Sequence, residues 1–165
     1  MYLYNFLLFV DWPKSAASDT IKLAVYGAPR IYEALRSMSG KTIKGKSLVV
    51  FSLTKPEGLD NACQVLFVGD TGPQVVRELL NKVADKPVLT VSGKAGFIGL
   101  GGMVSINGGD GLGEAGKKQK RFTINLFTVL EAHMKIRSRL LRISEVIYGL
   151  GPAEIEMLQK DIKRP

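Results

Sequence analysis

The chain has 165 residues, about one domain's worth, and its 45% apolar and 23% charged residues exclude wholesale disorder, collagen and coiled coil. One cysteine, Cys63, and one histidine, His133, exclude an internal disulfide and argue against a multi-cysteine or histidine-based metal centre. The net charge of +8 favours acidic partners, anionic lipid or nucleic acid, and says nothing about fold.

The opening run Met1–Val10 is apolar but far short of the ~20 residues that span a bilayer. No basic segment precedes it and no small-residue cleavage site follows it, so it does not read as a signal peptide. Leu3, Phe6, Leu7 and Val10 share one helical face, and Pro13 stops the helix. The expectation is a buried first helix from which a natural N-terminal extension has been removed. Ile21–Tyr26 reads as a strand, Arg30–Ser39 as a helix closed by Gly40, and Ser47–Leu53 as a second strand. Gln64–Val68 is a third strand, Pro73 starts a helix through Ala84, and Pro87–Val91 is a fourth strand. Continuous apolar strands suit a parallel sheet covered on both faces. Their order with the helices predicts an α/β three-layer sandwich with a mostly parallel, Rossmann-like central sheet.

The second half changes character. Met103–Ile106 and Arg121–Ile124 predict a C-terminal hairpin around the glycine-rich, then lysine-rich loop Asn107–Lys120. Asn125–Lys135 and Ile136–Tyr148 read as helical, the latter with an apolar stripe of Ile136, Leu140, Ile143 and Ile147. Residues 1–148 form the predicted single domain. Residues 149–165 form a tail, with a last helix over Ala153–Ile162.

Gly40–Ser47 satisfies the pattern G-x-x-x-x-G-K-[ST] of a phosphate loop. That chemistry needs a strand before the loop and a helix after it, and here the order is reversed. A lysine-rich helix-to-strand turn is the better reading. Gly93, Gly96, Gly99, Gly101 and Gly102 crowd Ser92–Met103 in no dinucleotide register, but they suit a binding loop beyond the end of Pro87–Val91. Phe97 within it is either a core plug, the favoured reading, or a recognition wedge. Asn107, Asp110 and Glu114 do not have calcium-loop spacing. No base is placed beside Cys63 or a serine, so catalysis is not supported and no cofactor is expected. The basic run Lys117, Lys118, Lys120 and Arg121, with Arg137, Arg139 and Arg142, lacks interleaved aromatics and any DNA-reading motif. It reads as a solvated face or a docking surface for an acidic protein rather than a nucleic-acid site.

Ordered across residues 2 to 148, these segments resemble the YfiR/HmsC-like family. The resemblance is carried by Phe9-Val10-Asp11-Trp12-Pro13, then Gly40-Lys41 and Gly45, Cys63 with Val65–Val68, Pro87–Ser92, and Gly96-Phe97. It continues through Gly101-Gly102-Met103, Arg121–Leu126 and Lys135–Leu141. The resemblance implies an exported, non-enzymatic protein of the bacterial periplasm. It would bind the periplasmic domain of a membrane diguanylate cyclase, or a related receptor, and restrain cyclic-di-GMP signalling and biofilm formation. It also admits a homodimer and implies no membrane span. The single cysteine departs from members that carry disulfides, and the Asn107–Lys120 loop is longer and more basic than usual. The candidate partner- or ligand-binding residues are Gly96, Phe97, Gly101, Gly102, Lys117, Lys118 and Arg121. Trp12 and Pro13 are expected to be structural, Trp12 as a core anchor, and Asn125 is expected to cap a helix. Two other readings differ in class. One is a small-molecule binder with a pocket lined by Gly96, Phe97 and Gly101. The other is a nucleotide hydrolase using Gly40–Ser47.

Overall fold

The structure is a computed structural model that describes residues 2–13, 19–59, 63–84, 86–94, 96–106 and 122–147. Lys117, Lys118, Arg121, the rest of the Asn107–Lys120 loop and the expected tail helix lie outside the described residues.

The first helix, α1 (Tyr2–Leu7), buries Leu3, Phe6 and Leu7. A six-residue helix is not stable alone, so burial holds it, each such side chain contributing about 1.5–3 kcal/mol. The Phe6 ring meets Phe122 edge-on, centroids 4.9 Å apart. Val10 is buried as expected, but not as part of the helix. Val10–Asp11 is instead a short strand, β1, antiparallel to β9 (Lys135–Ile136). Pairing with a distant segment wins over helical periodicity here, and the proline stop falls after the helix has already ended.

The chain then runs through β2 (Thr20–Tyr26), α2 (Pro29–Arg36), β3 (Thr42–Ile43) and β4 (Lys46–Leu53). It continues through β5 (Val65–Val68), α3 (Pro73–Val83), β6 (Leu89–Ser92), β7 (Val104–Ile106) and β8 (Phe122–Asn125). Prolines occupy the first turns of α2 and α3, where a missing N–H costs nothing. Helix α4 (Leu126–Glu131) follows β8 directly, and α5 (Ser138–Arg142) and β10 (Glu145–Ile147) complete the described chain.

Eight strands form one mixed sheet in the order β10-β8-β7-β6-β5-β2-β4-β3. Strands β4, β2, β5, β6 and β7 are mutually parallel neighbours. β8 runs antiparallel to β7 and β10 parallel to β8. The fold is therefore α/β. Alternate residues of β2 and β5 feed two cores. Leu23, Val25, Val65 and Phe67 pack with α1 and with Leu35 of α2, while Ala24, Leu66 and Val68 pack with Val76, Leu79 and Val83 of α3. A side-chain period of two places these cores on opposite faces. The outer edge of β4 meets little open backbone. Leu48 exchanges bonds with Gly40 and Lys41, and the Val50 N–H donates to the Ser39 hydroxyl at 3.3 Å.

The C-terminal region corrects the sequence expectation. Ile136–Tyr148 is not one helix; the described part is strand β9, one turn of α5, and strand β10. Ile136 and Leu140 are buried, but Ile143 is 60% exposed, so the expected stripe is broken. Ser144 ends the helical turn, its hydroxyl donating to the Leu140 carbonyl at 2.7 Å. The β-branched pair Val146-Ile147 then pairs with Ile124-Asn125 of β8, a setting such side chains favour. The expected helix over Asn125–Lys135 is likewise cut to α4, because His133 turns the chain at φ +61. A left-handed histidine costs about 1–2 kcal/mol relative to an unstrained one. We expect His133→Gly to raise the urea midpoint with an unchanged slope, by up to about 1 kcal/mol in stability.

Candidate functional site

The acidic–Trp–Pro motif is spent on internal joints. The Trp12 indole N–H donates to the Gln64 carbonyl at 3.1 Å, and the ring packs on the α1–α2 side of the core. The same carbonyl accepts from Leu89 N–H at 2.9 Å, and the Gln64 side-chain oxygen accepts from Lys22 N–H at 2.7 Å. Asp11 gathers two cations. Lys44 Nζ lies 2.7 Å from Asp11 Oδ1 and also donates to the Val10 carbonyl, and Arg137 lies 3.4 Å from the carboxylate. The Lys44 hydrogen bond holds the Asp11 carboxyl below its usual 3.8; partial burial opposes this and Arg137 adds to it.

Lys44 comes from the segment that mimics a phosphate loop. In the structure Lys44 and Gly45, both at positive φ, form the two-residue turn between β3 and β4. That is hairpin geometry, with no helix after the turn to receive phosphates. The nucleotide-hydrolase reading of Gly40–Ser47 is thereby withdrawn.

The glycine-rich segment leaves β6 at Gly93 and Lys94 and must cross the sheet to begin the parallel strand β7. Phe97 anchors that crossing. Its ring is fully buried against the α3 core, so it is a plug and its side chain is not on a binding surface. Gly102 is buried because the ring lies over it; a Cβ there would sit 2.2 Å from the Phe97 ring. Gly96 is exposed and stands apart from the groove that Gly101 lines. That groove, of about 660 Å³, runs between α3, the 3-10 turn Ile98–Leu100, and α4. Val83, Thr90, Met103, Thr128 and Ala132 are its buried members, while Arg77 and Glu131 are exposed. It lies beside Ala84 and Lys86, where β6 begins, and not beyond the strand's end as the glycine pattern suggested. The crossing carries Gly101 to the opposite end of the sheet.

Asn125 occupies the predicted cap of α4, with its Oδ1 accepting from Thr128 N–H at 3.4 Å. It is wholly buried, and its Nδ2 has no partner among the described residues. Cys63 is buried beside Leu59 and Leu66. Among the described residues no three His, Cys, Asp or Glu side chains gather as a metal site, and no helix is long and apolar enough to cross a membrane.

The family model described as YfiR/HmsC-like matches residues 1–145, from α1 to the start of β10. The chain belongs to the YfiR/HmsC-like family. The match spans the Asp11-Trp12 joint, the Lys44 hairpin and the Phe97 crossing. This is a periplasmic family of regulators, not of catalysts. Comparison with the curated proteins finds no match.

The motif residues Asp11 and Trp12 were legible in the sequence; Gln64, which receives Trp12, was not. Nothing marks a glutamine at a strand start as a junction until the strands are placed. Arg77 and Glu131 were missed because they sit on amphipathic helices, where an exposed charge carries no signal.

Two outcomes follow for these YfiR/HmsC-like joints. Since the folded carboxyl of Asp11 titrates below the unfolded one, its contribution is present above the unfolded value and is lost as pH falls through the folded one. We expect Asp11→Asn to cost less than about 1 kcal/mol at pH 7, because the pair is half-exposed. The difference from wild type should hold down to pH 5 and fade below 3.8 in urea titrations. Gly102→Ala forces the Phe97 ring from its seat and should cost about 1–3 kcal/mol, read as a lowered thermal midpoint.

Proposed function

We propose that this protein is a periplasmic, non-enzymatic regulator. It binds the periplasmic domain of an inner-membrane signalling enzyme of the diguanylate cyclase type and restrains cyclic-di-GMP output and biofilm formation. The observation that carries the reading is family membership over residues 1–145. In this reading a three-layer, Rossmann-like body is the scaffold, and regulation is a difference in affinity for two states of the partner. A protein that binds the inactive state more tightly holds the enzyme there without breaking a bond.

The docking face we assign is the rim of the Gly101 groove, with Arg77 and Glu131 on either wall. Phe97 and Gly102 support it from within. Lys117, Lys118 and Arg121, outside the described residues, remain basic partner-binding candidates in this proposal. The groove's volume also favours a second reading, a small-molecule binder serving a receptor or transporter.

The test is binding to the purified periplasmic domain of a membrane cyclase encoded beside this chain, measured by calorimetry. Micromolar or tighter binding is expected, weakened at least about tenfold by Arg77→Glu. Saturation by amino acids or small anions in a thermal-shift screen, with no cyclase binding, would favour the second reading.

A further inference from the structure

A second concavity lies at the other end of the sheet. It occupies about 790 Å³ and is lined by the turns that follow β2, β5 and β6, including Gly27, Gly69 and Lys94. This is where the strand order reverses. From β2 the chain goes through α2 to β4 on one side, and from β5 through α3 to β6 on the other. The two helices pack on opposite faces, so the turns diverge and leave a crevice, the usual ligand position in open α/β sheets. Its floor is bare main chain. Gly69 N–H donates to the Tyr26 carbonyl at 2.7 Å, and a Cβ on Gly69 would lie 2.1 Å from the Gly27 oxygen. Only glycine allows the two turns to meet there, and it leaves backbone open to whatever enters.

The side chains around this floor are two cations and one acid. Arg30 is exposed and has no ion-pair partner among the described residues; the nearby acid of its own helix, Glu33, pairs with Arg36. Lys94, with its side chain 26% exposed, meets Asp70 at 3.3 Å, but the Asp70 side chain is 97% exposed. An ion pair with so exposed a member is worth little and yields readily to a better anion. Ile31, 38% exposed, and Phe67 add an apolar wall. The volume suits a small molecule.

We propose that this crevice binds a small polyanion, its carboxylate or phosphate group held between Arg30 and Lys94 while Asp70 swings out. Such a ligand would enter at the opposite end of the sheet from the Gly101 groove. The inference stands independently of the partner reading, because it requires only the isolated protein.

The probes are pyrophosphate and citrate, titrated separately into the full chain at constant ionic strength. We expect a saturable rise in thermal midpoint of about 2–5 °C with at least one of them. The preferred probe tells phosphate from carboxylate chemistry. Arg30→Gln/Lys94→Gln, both on the surface, should keep the ligand-free midpoint and lose at least tenfold in affinity. No saturable shift with either probe, or equal binding by the double variant, would overturn the proposal.

Discussion

One residue, Gln64, sets the frame for the rest. Its main-chain carbonyl is shared by the Trp12 indole and the Leu89 N–H, and its side chain takes the Lys22 N–H. Three parallel strands, β2, β5 and β6, and the N-terminal segment thus converge on one residue. Register in a parallel sheet is otherwise set by side chains alone, and a slip by one residue would exchange the two cores. The Gln64 junction fixes the relative heights of the three strands. It therefore also fixes which turns face each other above the sheet and which helix ends face each other below it.

The central half of this architecture was readable because strand and helix signals agreed with the tertiary fold. The continuous apolar run Val65–Val68 and the segment Leu89–Ser92 are strands buried on both faces, and Pro73 marks its helix start. Failures came where a short segment had two options. Val10 fits a helical face and a strand equally, and only the distant Lys135–Ile136 decides between them. Ile136–Ile147 has helical spacing, but its last residues find a partner strand that spacing does not reveal. The site was less legible than the fold. Glycine clustering located a crossing but not its direction, and the end of the sheet at which it arrives depends on strand order.

The residues that make the motif recognisable are largely structural. Asp11, Trp12, Phe97 and Asn125 are engaged with the protein itself, whereas the residues bordering the two concavities, such as Arg30, Arg77, Lys94 and Glu131, are ordinary surface charges. Such a division suits proteins whose work is recognition, since partner choice is set by charges on the rim and not by the scaffold.

The sheet's outer margins have a consequence for life at high concentration. One margin is a two-residue strand backed by Gly40, Lys41 and the Ser39 hydroxyl; the other is the three-residue β10, which opens on an exposed glutamate, Glu145. Long, flat, apolar borders template neighbour-on-neighbour growth into fibrils, and brief or charged ones do not. Among the described residues each margin presents little free backbone to seed amyloid-like stacking.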